Sequence, residues 1–374
     1  MCALSCFVPH DTHVVRNGMN ELTDEGSDES LRERHLDWTA KQGRILTADG
    51  RANEYYCQER GFPYKEEELP HHYLIRGDTS FQDLRPCSSI CGAWSRAYFV
   101  GGWEYSSAQD ETVYNVQTNT LFVDLRIPVT RKRLLPSTAT SLADYTAEQL
   151  RIYARQHVFA GFSVVSTEQE RRVCVRHHCL DWNFVGIPRP RPNKWWIEKM
   201  NSNAKKWKEW AYATDNHGQH YYCEQWERLK GGEPEPVLAL RKEHESNGDG
   251  IILVVGNHFN YIQGRVMGND SHKYPNATSL VALVDAALDA GDFATSLDWL
   301  GRIEAGHGCT DGWYIDCAIQ PWKEGTRLFE KDSLVVEGDD LRTCHVLWKG
   351  VRWNLFESTL GDVTQLKDLL QNGL

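Results

Sequence analysis

The chain contains no apolar run approaching the ~20 residues a helix needs to cross a bilayer, so it does not read as a helical membrane protein. It also lacks any Cys-x-x-Cys pair, which removes the usual tetrahedral zinc knuckle. Its eleven cysteines are odd in number and irregularly spaced, so a complete disulfide framework is excluded and packed, reduced thiols are expected. Positive charge is scarce: 41 Lys and Arg stand against 52 Asp and Glu, for a net charge of -11. That balance disfavours duplex nucleic acid and anionic membrane as partners. There is no phosphate-binding loop, no dinucleotide fingerprint, no nucleophile elbow and no His-Glu-x-x-His, and the pattern implies no cofactor. The opening Met1-Cys2-Ala3-Leu4-Ser5-Cys6-Phe7-Val8-Pro9 has neither the basic start nor the apolar stretch of a secretory signal, which points to a cytoplasmic protein.

What the chain does have is length for about two domains and an ordinary 41% hydrophobic content. Residues 1–87 are polar and acidic, with short helices expected at 31–42 and 49–59. Beyond residue 88 the texture changes to strand-length segments rich in Val, Ile, Tyr, Phe and Trp and bounded by Gly, Pro, Asn or Asp. They fall at 93–105, 112–117, 120–128, 158–165, 172–183, 220–229, 237–241, 251–265, 299–305, 313–319, 342–348 and 351–356. So many short, closely spaced strands predict a mainly β protein built as antiparallel barrels or a sandwich. Hairpin turns are expected at Gln117-Thr118-Asn119-Thr120 and at Lys349-Gly350. Covering helices are expected after the capping box Thr146-Ala147-Glu148-Gln149, after Thr278 or Ser279, and from Asp362.

Three segments in each half carry a resemblance. Phe122-Val123-Asp124-Leu125-Arg126, Val158-Phe159-Ala160-Gly161 and Asp181-Trp182 are similar to the first barrel of small fungal cytosolic proteins built from two tandem calycin-like, lipocalin-related barrels. Gly250-Ile251-Ile252-Leu253-Val254-Val255-Gly256, Gly301-Arg302-Ile303-Glu304 and Trp322-Lys323-Glu324-Gly325 resemble that family's second barrel. The resemblance implies antiparallel calycin-like barrels, with a helical extension over 1–87, a first barrel over 88–245, and a second over 246–374 that ends in a helix. The family has no well-established activity to transfer.

The densest polar stretch is 174–183. Strict strand alternation puts His177, Cys179, Asp181 and Asn183 on one face and Cys174, Arg176, His178, Leu180 and Trp182 on the other. That pattern predicts either a general base, His177 oriented by Asp181, or a hydrogen-bonded structural network. Alternate positions on one strand lie about 7 Å apart, too far for one metal ion without ligands from elsewhere, so no metal site is expected. His258 and Tyr261, just after the apolar 251–255 segment, are candidate assisting groups, with Asn257 beside them as a ligand contact. Trp94 with Arg96, and Asp124 with Arg126, are spaced to stack or pair. In calycin-like barrels an arginine over a tryptophan plugs the closed end, and Arg96 or Arg126 can otherwise receive a ligand carboxylate.

The expected function is therefore the binding of a small hydrophobic or aromatic molecule within a barrel. An alternative is a cofactor-independent enzyme, an isomerase, cyclase, lyase or oxygenase, acting on such a ligand. A second alternative is a scaffold that docks a protein partner through the basic and Trp-rich segment 188–212.

Overall fold

The strand-rich part of the chain forms two antiparallel sheets that share one apolar interface. The computed structural model describes residues 90–100, 111–168, 171–183, 193–200, 205–215, 218–242, 248–264, 273–277, 279–330 and 333–373. The helices expected at 31–42 and 49–59 lie outside the described residues.

Eight strands form a closed barrel in simple sequence order: β1 (Gly92–Val100), β2 (Glu111–Gln117), β3 (Leu121–Pro128), β4 (His157–Glu168), β5 (Arg171–Asp181), β6 (Asn193–Lys199), β7 (Lys206–Asp215) and β8 (Gly218–Arg228). Closure comes from β1 pairing with both β2 and β8, which leaves this sheet no free edge. Within the segment 188–212, expected to dock a partner or form a lid, the described residues include the stave β6 and the start of β7, because Trp195, Ile197, Trp207 and Glu209 alternate inward as strand residues do.

The second sheet comprises β9 (Val237–Lys242), β10 (Asp249–Val255), β11 (His258–Gly264), β12 (Ile303–Cys309), β13 (Tyr314–Ala318), β14 (Leu334–Glu337), β15 (His345–Trp348) and β16 (Val351–Ser358). Its order is β13-β12-β11-β10-β9-β16-β15-β14, an open sheet with β13 and β14 at its edges. Its inner face gathers Leu238, Leu240, Ile252, Val254, Phe259, Trp313, Val346 and Trp353. The final helix α5 (Val363–Asn372) adds Leu366, Leu369 and Leu370 to that cluster. The segment expected as one strand at 251–265 is a hairpin, turned at Gly256 and Asn257, with Val255 opposite His258.

The main core lies between the sheets. Val116, Val123, Leu125, Val158, Ala160 and Leu180 from the outer wall of the barrel pack with Val237, Ala239, Ile251, Leu253, Ile262 and Ala305 from the second sheet. Helices α1 (Arg131–Leu134), α2 (Ala147–Ala154), α3 (Leu280–Asp289) and α4 (Phe293–Leu300) flank this interface, and each buries side chains in it. The Thr146–Gln149 capping box forms as expected at the start of α2, and Ser279 caps α3 by accepting from the Ala282 N–H. Trp299, expected to open a strand, sits in α4 because Asp292 caps a helix there, accepting from the Thr295 N–H.

The interface is also stitched by polar groups. Asn260, fully buried, donates to the Tyr114 carbonyl at 3.0 Å and the Val123 carbonyl at 2.8 Å, both on the barrel. Its Oδ1 contacts His307 Nδ1 at 2.7 Å, and the His307 ring stacks on Tyr114 with centroids 3.8 Å apart.

Candidate functional site in the interior of the first barrel

Where the barrel faces the second sheet, strand alternation buries both faces of its strands. On β3, Val123, Leu125 and Ile127 point outward into the shared core, while Phe122, Asp124 and Arg126 point inward. On this side the barrel carries charge inward and hydrocarbon outward, while Trp94, Val113, Ile197, Trp207 and Trp226 keep one end of the interior apolar.

At one end, Trp94 packs edge-on to Trp207 with centroids 6.0 Å apart, and Trp207 stacks on Trp226 at 5.7 Å. The Trp94 indole N–H donates to the Ile90 carbonyl at 2.8 Å. Arg228, at the end of β8, lies 4.7 Å over the Trp94 ring. An arginine does cover this tryptophan, but it comes from the last stave, where β8 meets β1, and not from Arg96 or Arg126.

Above the tryptophans lies an ionic layer. Arg96 bridges Glu111 at 2.9 Å and Glu224 at 3.0 Å, and Arg126 bridges Asp124 and Glu224, each at 2.8 Å. Arg176 lies between Asp124 and Glu209, at 3.8 and 3.7 Å. Burial opposes ionisation of Glu224, but Arg126 and Arg96 outweigh it and hold its carboxyl down to about 2. Glu209 goes the other way: burial, only partly offset by Arg176, together with the Glu224 charge, pushes it well above the usual carboxylate range. The layer therefore sets three arginines among four carboxyl groups, with Glu224 held toward its charged form and Glu209 toward its protonated one. Arg96 and Arg126 are accordingly committed to internal carboxylates.

The opposite end carries the most chemically varied group. His178 Nδ1 is 2.8 Å from Asp181 Oδ2, and Asp181 Oδ1 accepts from the Asn183 backbone N–H at 3.0 Å. Asn183 Nδ2 is 3.0 Å from His157 Nε2, which itself lies 3.9 Å from Asp181. Phe159 stacks on His178 with centroids 4.7 Å apart and planes 4° from parallel, and the Arg126 guanidinium lies over the Phe159 ring, 5.3 Å from its centroid.

Strict alternation predicts His177 as the partner of Asp181, and the structure corrects this. On β5, Gly161 pairs with His178 while the adjacent Ala160 pairs with Leu180, so Cys179 is an extra residue in a β-bulge. The bulge resets the alternation, bringing His178 and Asp181 to the same inward face and leaving His177 opposite the outward-facing Phe162. Burial pushes the Cys179 thiol up to about 12, despite nearby Arg241, so it is a protonated packing group.

The other expected residues are dispersed. His258 sits at the interface between the sheets, its Nε2 2.9 Å from the Lys230 carbonyl. Tyr261 faces the inner cluster of the second sheet, where it donates to Glu304 at 3.3 Å; burial and that carboxylate push its hydroxyl well above the usual range. Asn257 is exposed in the β10–β11 turn. The structure thus brings together Asp181, Asn183, Arg96, Arg126 and Trp94 within one barrel, and excludes His177, His258, Tyr261 and Asn257. It adds His157, His178 and Phe159, whose signal was Gly161 inside a strand, a common mark of a bulge opposite. Among the described residues, no three His, Cys, Asp or Glu side chains are grouped to hold a metal ion.

The fold and this lining define a closed, antiparallel, eight-stranded barrel with an ionic interior, joined to a second eight-stranded sheet. No family model matches the chain, and no curated protein matches it. Among solved structures it is similar to the crystal structure of an uncharacterized protein from Saccharomyces cerevisiae, at 11% identity and a TM-score of 0.41, over 72% of this chain and 99% of that one.

Proposed function

We propose that the chain is a binding protein whose first barrel receives a small aromatic molecule at the end lined by Phe159, His178, His157 and Asn183. One observation carries this reading: the stacked rings of Phe159 and His178 stand beside the polar side chains of His157, Asp181 and Asn183 at the end of the barrel away from the tryptophans. Aromatic rings pack edge-on or offset against such a pair, and the neighbouring polar atoms set orientation. The arginine-covered tryptophan at the opposite end supports a calycin-like barrel, with the second sheet as its tandem partner. The described cysteines are all free, which suits a reducing, cytoplasmic setting.

A second reading is favoured by the 2.8 Å contact between His178 and Asp181, the arrangement that fixes an imidazole for proton transfer. Under it, the bound molecule is also a substrate for acid–base chemistry that needs no cofactor. Titration with a hydrophobic fluorescent probe tests the primary reading: saturable binding that weakens at least about tenfold in Phe159→Ala is expected. Saturable binding unaffected by that substitution would move the site elsewhere, and no saturable binding would end the proposal.

A further inference from the structure

Two glutamates stand face to face inside the first barrel. Glu209 on β7 and Glu224 on β8 are directly opposite in the strand register, and both point inward, 1% and 0% exposed. Side chains so placed have Cβ atoms about 4.5–5.5 Å apart, and like charges directly opposite each other destabilise a strand pair. Neither carboxyl reaches solvent, and two carboxylates that share a dry site do not both ionise. One of the pair therefore holds a proton.

The arginines decide which. Glu224 accepts from Arg96 at 3.0 Å and from Arg126 at 2.8 and 3.1 Å, so both of its oxygens take charge-assisted bonds. At Glu209 the pairing is looser: Arg176 stays 3.7 Å from Oε2, beyond hydrogen-bond length, and that oxygen has no hydrogen-bond partner. Ile197, opposite Glu209 on β6, is apolar and brings no second cation. The other charged or titratable groups of this layer are Glu111 on β2, Asp124 on β3 and Cys174, which shares the inward face of β5 with Arg176. Burial of Glu209, opposed by Arg176 and reinforced by Glu224, acts in the same direction as the geometry.

The glutamates also sit at a seam. The next inward pair on the same two strands is Trp207 opposite Trp226, stacked at 5.7 Å, so a repulsion between Glu209 and Glu224 would act directly on the contact between β7 and β8.

We infer that Glu209 and Glu224 share one carboxylic acid proton at neutral pH, and that this proton is a pH-sensitive lock on the β7–β8 seam. When rising pH removes it, two anions face each other across the seam and loosen it. The unfolded chain gives up this proton near 4.5 and the folded chain only at higher pH. The lock is therefore complete below about 4.5 and is lost as pH climbs through the titration of the folded pair.

Infrared spectroscopy of the full chain carrying isotope-labelled glutamate tests the proton. A carboxylic acid C=O band is expected at pH 7, with the isotope shift assigning it to Glu. Glu209→Gln is expected to lose the band. Glu224→Gln is expected to lose it too, because Glu209 would then ionise against Arg96 and Arg126, whereas burial alone would leave it in place. Absence of the band in the parent chain, a measurement that needs no variant to fold, overturns the inference, and so does its survival in either variant. Two further measurements test the lock. In urea unfolding, the unfolding equilibrium constant of the parent should rise relative to that of Glu209→Gln by up to about tenfold per pH unit above about pH 4.5, until the pair has titrated in the fold. At alkaline pH the amides of β7 and β8 should exchange hydrogen faster in the parent than in Glu209→Gln, while those of β3 and β4 match. Identical pH slopes, or equal exchange in β7 and β8, overturn the lock.

Discussion

Glu357, on the strand that pairs with β9, accepts the Thr118 hydroxyl at 2.7 Å although 239 positions separate the two residues. The same carboxylate takes the Asn119 N–H at 3.0 Å and the Thr120 hydroxyl at 2.8 Å, so the β2–β3 turn of the barrel is clipped to the second sheet by one side chain. Hydrogen bonds to charged groups contribute about 1.5–3 kcal/mol each and do not add fully, so Glu357→Ala should cost about 2–4 kcal/mol in urea unfolding, and Glu357→Gln less. A loss below about 0.5 kcal/mol for both would mean the clip holds nothing.

Asn260 is the other cross-sheet tie, and it works as a donor. Asn260→Ala should destabilise by about 2–3 kcal/mol. Asn260→Asp should be worse, since a carboxylate facing the Tyr114 and Val123 carbonyls can neither donate nor reach water. Chemical denaturation of the two variants side by side checks the order; Asp equal to or milder than Ala would contradict it.

His307 makes stability depend on pH. Burial, and then the neighbouring His258, hold its imidazole well below the ordinary 6.5, so the folded protein keeps it neutral while the unfolded chain takes up a proton near 6.5. The unfolded state then binds more protons, and stability falls as pH drops below about 6.5, by up to about 1.4 kcal/mol per pH unit from this group. Above 6.5 it is neutral in both states and contributes no slope. Glu224, held to about 2 against an ordinary 4.5, adds a separate loss only below about pH 4.5. Glu209, held well above 4.5 in the fold, contributes a slope of opposite sign over part of this range, so the test is the difference between proteins: between pH 7.5 and 5, His307→Gln should lose less stability, or gain more, on acidification than the parent chain, by up to about 1.4 kcal/mol per pH unit, and identical slopes would assign the dependence to another group.

Gly161 is required by a close approach. A Cβ there would stand 1.9 Å from the His177 carbonyl oxygen and 2.9 Å from the Cys179 nitrogen, both backbone atoms of the bulge. Gly161→Ala should therefore cost about 3 kcal/mol or more and weaken any ligand signal that depends on His178. Near-native thermal stability in this variant would show that the bulge can be straightened cheaply.

Much of the fold was legible because it rests on local rules. Val, Ile and aromatic alternation marked most of the strands, and Thr146 with Gln149, Ser279 and Asp362 marked helix starts by side-chain hydrogen bonds that sequence spacing alone can show. What escaped was set by partners distant in sequence. The bulge at Cys179 exists only against Gly161 on another strand, so His178 could not be paired with Asp181 from one segment. Arg228 reaches Trp94 only because the barrel closes. The staves β6 and β7 were masked by their lysines and tryptophans, which read as a surface loop until both faces of the strands were seen to have different neighbours.

The inverted dressing of the first barrel has a consequence for its biogenesis. The staves that emerge earliest from the ribosome carry their oily side outward, and the sheet that hides it is encoded afterwards. A nascent chain paused before Val237 would present Val123, Leu125, Val158 and Leu180 to the surrounding water. A fragment cut after Arg228 should therefore clump where the intact chain stays dispersed.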